Sequence, residues 1–124
     1  MFNDEFGIGI DIINISRFDD VELSENNPFL LNLFTSAELF YCLGKSNKKA
    51  CLASKFAAKE AVIKATSSVY PSVLLLNEIE ILNETNGKPY VLIRQKKSKS
   101  IFLSLSHSST NAIAVAFHIL DVMK

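Results

Sequence analysis

The chain has no surplus of either charge: thirteen lysines and arginines stand against thirteen aspartates and glutamates. A general nucleic-acid binder carries a basic excess, so nucleic acid is not an expected partner, although a local basic pocket stays open. Cysteine is scarce, with Cys42 and Cys51 alone. Their spacing matches no zinc motif and two thiols make no disulfide scaffold, so reduced thiols packed on helices are expected. No apolar run approaches the roughly 20 residues that span a bilayer. The opening Met1-Phe2-Asn3-Asp4-Glu5 is acidic and polar, without the basic and apolar regions of a signal peptide. A soluble, cytoplasmic protein without membrane contact is expected. Internal repeats, low-complexity segments and linkers are also missing. With 124 residues and 48% apolar composition, the expectation is one domain over 1–124 with a real core.

What is present predicts an α+β domain, with helices concentrated in the first half, strands mostly in the second, and an antiparallel sheet packed on a long central helix. Isoleucine-rich residues 6–15 predict a buried strand interrupted by Asp11. Residues 16–25 predict a short helix opened by Ser16 as N-cap. Asn26-Asn27-Pro28 is a stop and restart signal, followed by a helical piece over 29–34. Thr35-Ser36-Ala37-Glu38 matches a capping box, so a helix is expected from Ser36 to about Leu43. After a loop over 44–47, residues 48–67 form the strongest helix, with Leu52, Phe56, Ala57 and Ile63 on its apolar face. Residues 72–82 predict a strand, Asn86-Gly87 a hairpin turn, and 90–93 the return strand. A basic loop over 95–100 leads to strands at 101–106 and 112–120, joined by a turn at 108–111. Phe2, Phe6, Phe18, Phe29 and Phe34 are expected in the core or in contacts between copies.

Three motifs put polar groups beside apolar runs, where burial without a partner is costly. They are Gly9-Ile10-Asp11-Ile12, Phe56-Ala57-Ala58-Lys59-Glu60-Ala61 with Lys64, and Ser104-Leu105-Ser106-His107. Asp11 within a strand must pair with a cation, bind metal or sit at a strand end. Glu60 followed by Lys64 at i+4 is also an ordinary surface pair. Lys55 and Lys59 share a helix face and repel one another unless an anion sits between them. His107 ends a strand, and a lone histidine is more often a hydrogen-bonded structural group than a catalytic one. His118, in the last apolar strand, gives less reason for a functional claim. Together, two carboxylates suit magnesium, which takes few protein oxygens and completes its shell with water and substrate phosphate. Lysines on the same helix can grip a diphosphate. The combination describes metal-assisted transfer of a phosphate-linked group.

Over nearly its whole length, from Gly9 to about Phe117, the chain resembles the short bacterial 4′-phosphopantetheinyl transferases, the holo-[acyl-carrier-protein] synthases. The resemblance rests on Gly-Ile-Asp, on Phe-Ala-Ala-Lys-Glu-Ala-x-x-Lys-Ala from Phe56, on the Ile-Glu-Ile…Asn-Gly-Lys-Pro hairpin from Ile79, and on Ser-x-Ser-His ending at His107. It implies transfer of phosphopantetheine from coenzyme A to a serine of apo-acyl carrier protein, releasing adenosine 3′,5′-bisphosphate. It implies Asp11 and Glu60 as Mg2+ ligands. Lys55, Lys59, Lys64 and His107 would bind coenzyme A, with Glu60, Lys64 and His107 catalytic. Metal and lysines would offset charge on the phosphates; Glu60 and a metal-held water are both candidates for the base. Arg17 would dock the carrier. The resemblance also implies a homotrimer with active sites at subunit interfaces. The other open reading is a non-catalytic relative that binds a carrier protein or a nucleotide.

Two stretches depart from that pattern. The family's glycine-rich loop after the central helix is here Thr66-Ser67-Ser68-Val69-Tyr70-Pro71, without glycine. Valine and proline resist the positive φ that glycine allows, so the loop must take another path. The first helix, basic in the family, carries Asp19, Asp20, Glu22 and Glu25 after Arg17. Those carboxylates would repel an acidic carrier, leaving Lys45, Lys48 and Lys49 as alternative docking groups.

Overall fold

A computed structural model describes residues 6–69 and 74–120. Strand β1 spans Phe6–Asn14 and runs into a 3-10 turn at Ile15–Phe18. Helices α1 (Pro28–Leu33), α2 (Ser36–Leu43) and α3 (Lys48–Ala65) follow. A second 3-10 turn at Leu76–Glu78 leads into β2 (Ile79–Asn83), β3 (Pro89–Ile93), the two-residue β4 (Lys96–Lys97), β5 (Ile101–His107) and β6 (Asn111–Ile119). The strands make two antiparallel sheets, in the orders β1-β6-β5 and β2-β3-β4.

Helix α3 lies across β1 and β6, and small residues on both sides set how closely. Ala57, Ala58, Ala61 and Ala65 of α3 meet Ala112, Ala114 and Ala116 of β6, all buried. On β1 a methyl group added at Gly9 would overlap the Ala61 carbonyl oxygen and come within 2.8 Å of Lys64 Cβ. Side chains alternate across a strand, so Asp11 shares the helix-facing side with Gly7 and Gly9. The core fills out with Phe18, Leu30, Phe34, Leu39, Leu52, Ile79 and Ile81.

Several expectations are corrected. Residues 16–25 form no helix; the 3-10 turn ends at Phe18 and is capped by Asn14, which accepts from Ser16 N at 3.3 Å. The acidic stretch that follows has no cations of its own to offset it. It instead makes local turns, with Asn27 Nδ2 donating to Glu22 O at 2.7 Å. Strand β1 is buried on one side only: Phe6, Ile8, Ile10 and Ile12 are exposed. Of the strand expected over 72–82, the part from Ile79 is a strand, and residues 72 and 73 lie outside the described residues. The expected loop over 95–100 holds a tight turn at Arg94-Gln95, both at positive φ, and strand β4. Phe18 and Phe34 are core, Phe6 stacks on Phe117 at the exposed sheet face, and Phe29 is exposed. Phe2 lies outside the described residues. Cys42 and Cys51 are joined as a disulfide rather than reduced. The short connection from α2 to α3 brings their Cα atoms to 5.4 Å, within bridging distance.

The capping box at Thr35 and Glu38, the long helix, the Asn86-Gly87 turn and the two final strands stand where the sequence puts them. Gly87 takes φ +92, which glycine alone adopts freely. Of the loop after α3, Thr66 Oγ1 donates to Val62 O at 2.7 Å and Ser67 Oγ to Lys64 O at 3.2 Å; Tyr70 and Pro71 lie outside the described residues.

Candidate active site

Most of the sequence-selected residues fall into two groups, one at the C-terminal end of α3 and one beside its middle. The first lies where β1 meets the C-terminal half of the helix. Lys64 Nζ donates to Ile10 O at 2.9 Å and stands 3.5 Å from Asp11 Oδ1. The other carboxylate oxygen, Asp11 Oδ2, is buried with no partner. Such an orphaned acceptor is costly unless a cation or donor meets it. Glu60 sits one turn before Lys64, half-buried, on a cleft shared with Asn32, Ile63 and Asn77. Among the described residues no three His, Cys, Asp or Glu side chains gather as a metal site. Zinc needs three or four protein ligands. Magnesium needs one or two carboxylates and takes phosphate oxygens for the rest, so the donors present fit magnesium.

The second group lines a groove of about 450 Å³ between α3, β5 and the β2–β3 hairpin, with Lys45, Ser54, Lys55, Asn83, Gly87 and His107 in its wall. Lys55 is 3% exposed. Its Nζ donates to Ile81 O at 2.6 Å and to Asn83 Oδ1 at 2.9 Å, and stands 4.6 Å over the Tyr41 ring. Burial pushes its pKa down to about 8. An ammonium has three donors, so one is left for a ligand. Lys45 covers the same ring at 4.4 Å. His107 Nδ1 is 3.2 Å from Ser108 O; as donor there, it leaves Nε2 free to accept.

Lys59 is a correction. It is fully buried, its Nζ pairing with Glu38 Oε1 at 2.5 Å and donating to Leu33 O and Leu76 O, both at 2.9 Å. Its three donors are spent inside the protein, so it cannot grip a ligand. A carboxylate of the chain itself, Glu38, pairs with Lys59 and favours the charged form of Lys55. The capping box marked Glu38 in the sequence, but its second partner, Ile81 N at 2.6 Å, lies 43 residues away and carries no local signal. Tyr41, Ser54 and Asn83 were missed for the same reason. His118 is buried on β6 with Nδ1 unpartnered, and burial lowers its pKa.

Arg17 is exposed and stacks 4.8 Å over Phe56. Beside it, Asp19 pairs with Lys49 at 3.0 Å on the surface. Among the described residues no helix is long and apolar enough to cross a membrane.

Residues 7–117 match the family model of the 4′-phosphopantetheinyl transferase superfamily. The holo-[acyl-carrier-protein] synthase of Geotalea daltonii is 40% identical over 119 residues, spanning 89% of this chain and 94% of that protein. That of Chlamydia trachomatis serovar D is 41% identical over 115 residues, spanning 90% and 97%. The crystal structure of a holo-(acyl-carrier-protein) synthase from Bacillus anthracis in complex with CoA (3′,5′-ADP) superposes with a TM-score of 0.71 at 29% identity. It covers 93% of this chain and 96% of that one. Motif order, fold and these likenesses converge: the chain belongs to the 4′-phosphopantetheinyl transferase superfamily.

Proposed function

We propose that the chain, as a single cytoplasmic domain, transfers 4′-phosphopantetheine from coenzyme A to a serine of an apo-acyl carrier protein. The products are holo-carrier and adenosine 3′,5′-bisphosphate. The observation that carries this reading is Asp11 Oδ2, a buried carboxylate oxygen without a partner, beside Lys64 at 3.5 Å. In this reading Asp11 and Glu60 hold Mg2+, which when bound offsets the charge of the pyrophosphate. Lys64 turns from Asp11 toward phosphate oxygens and stabilises charge developing there. Lys55 binds the anionic nucleotide portion of coenzyme A in the groove, and His107 accepts a hydroxyl or amino donor of the same portion at Nε2. The serine proton passes to Glu60 or to water.

Residues 55 and 64 are separated by roughly 13 Å along α3, at 1.5 Å per residue. One copy offers a carboxylate half and a groove half. We read the protein as a homotrimer in which each site joins the two halves across an interface. The open sheet face supports this: Phe6, Ile8, Ile10, Ile12 and Phe102 are all about half exposed, more contiguous apolar surface than a soluble monomer normally leaves uncovered. Arg17 meets the acidic carrier.

Intact-mass spectrometry of apo-carrier protein after incubation with this protein, coenzyme A and magnesium tests the reaction. A mass increase of one phosphopantetheine, lost on chelation, is expected. No increase, while a known synthase modifies the same carrier, would point to a binding-only relative.

A further inference from the structure

We propose that Glu38 and Lys59, a buried ion pair outside the groove, are positioning residues that hold Lys55 in place through the backbone of Ile81. The inference rests on the reading of Lys55 as an anion-binding group.

The connection is continuous. Lys59 Nζ pairs with Glu38 Oε1, which also accepts from Thr35 N at 2.8 Å. The other oxygen, Glu38 Oε2, accepts from Ile81 N at 2.6 Å. On the same strand edge, the carbonyl of that residue, Ile81 O, accepts from Lys55 Nζ at 2.6 Å. The open edge of the first strand of the second sheet is thus held at one residue by both a carboxylate on α2 and an ammonium on α3. Asn83 Oδ1, two residues along that strand, supplies the other acceptor for Lys55.

Energetics argue for such a role. A buried lysine–glutamate pair loses its hydration, and apolar groups of similar volume are often as stabilising. Retention of the pair calls for a reason beyond stability. Burial pushes the Glu38 carboxyl up, while the attraction of Lys59 opposes that shift. Charge matters as well as geometry. The groups facing Lys55 are Glu38 from α2, Glu80 from β2, Lys59 from its own helix and Lys45 from the α2–α3 connection. The two carboxylates favour its charged form, and the two lysines oppose it. Glu38 is the larger favourable influence. Glu80 is partly occupied by Thr35 Oγ1 at 2.6 Å. Removing Glu38 would loosen the Ile81 clamp and also strip Lys55 of its main charge support.

The test is calorimetric binding of coenzyme A across pH, with fold and assembly checked by circular dichroism and light scattering. Glu38→Gln is the first variant. Glu38→Gln/Lys59→Met is the second, and leaves no unpaired charge should the first fail to fold. The expected result for either is an affinity loss of about tenfold, with the alkaline decline in binding beginning at lower pH than in the unmodified protein. Lys55→Met should show a comparable loss and no alkaline decline, and adding the pair replacement to it should weaken binding little further, as coupled positions do. Unchanged affinity and pH profile in a folded pair variant, with Lys55→Met weakened, would overturn the positioning role and leave Lys55 as a ligand-binding group. Unchanged affinity in Lys55→Met would overturn the groove reading and this proposal with it.

Discussion

Gly9 lies so close to Ala61 that no side chain fits between them: an added methyl would overlap the Ala61 carbonyl oxygen and crowd Lys64 Cβ at 2.8 Å. This contact brings Lys64 within 2.9 Å of Ile10 O and within reach of Asp11. Backbone oxygen cannot yield as a flexible side chain can. Gly9→Ala should therefore lift α3 from β1 and cost at least about 2 kcal/mol. Urea unfolding checks the stability, and the same variant should lose turnover as Lys64 moves from Asp11.

Asp11→Ala and Glu60→Ala should each abolish magnesium-dependent turnover while keeping the fold. Asp11 Oδ2 has no partner to lose, so Asp11→Ala is expected to hold or raise the melting temperature of the metal-free protein. Thermal unfolding with and without magnesium checks this. Full activity in both variants would sink the metal assignment.

Mixed assemblies test the shared site. Glu60→Ala lacks the carboxylate half and His107→Ala lacks part of the groove half, so each alone should be inactive. Unfolding and reassembling them together in equal amounts joins an intact half from each at about a quarter of the interfaces of a closed ring. Activity near a quarter of the unmodified protein is expected. A site contained within one copy would recover nothing.

The pH dependence follows from Lys55. Burial lowers it from 10.5 to about 8, while the unfolded chain keeps the ordinary value of about 10.4. Between those values the unfolded state binds the extra proton, so this group's contribution to stability rises with pH there. Below about pH 8 both states are charged and the burial penalty stands in full. Anion binding runs the opposite way, because the positive charge is lost as pH rises through about 8. The bonds to Ile81 O and Asn83 Oδ1 survive, since a neutral amine keeps two donors. Coenzyme A affinity should fall from about pH 7 to pH 9, and the decline should be missing in Lys55→Met.

The disulfide closes a short loop, with nine residues of sequence separation. Reduction should lower unfolding free energy by about 3 kcal/mol on the chain-entropy relation. Urea unfolding with and without reductant measures it, and Cys42→Ala/Cys51→Ala should match the reduced protein.

Local chemistry made much of this molecule legible in its sequence. The capping box at Thr35 and Glu38, the helix from Lys48 and the Asn86-Gly87 turn depend on neighbours along the chain, and they formed as expected. The motif set around Asp11, Glu60, Lys64 and His107 was legible for the same reason: its residue types and order need no folded chain to be recognised. The first helix, expected over 16–25, does not form because Asn14 rather than Ser16 holds the cap and the acidic run after Arg17 turns instead.

Only the tertiary structure decided where each charge ends. Lys55 and Lys59 look equivalent in sequence, four residues apart on one helix. Packing of α2 and β2 against α3 sends Lys59 to Glu38 inside the core and leaves Lys55 in the groove wall. The same holds for Cys42 and Cys51, paired by the turn between α2 and α3, and for Ile8, Ile10 and Ile12 of β1, apolar yet outward-facing. Composition and spacing determined the fold class and the residue types at the site. Contacts between segments far apart in the chain decided which of those residues stay free to meet a ligand, because burial and long-range pairing leave no mark on a residue's immediate neighbours.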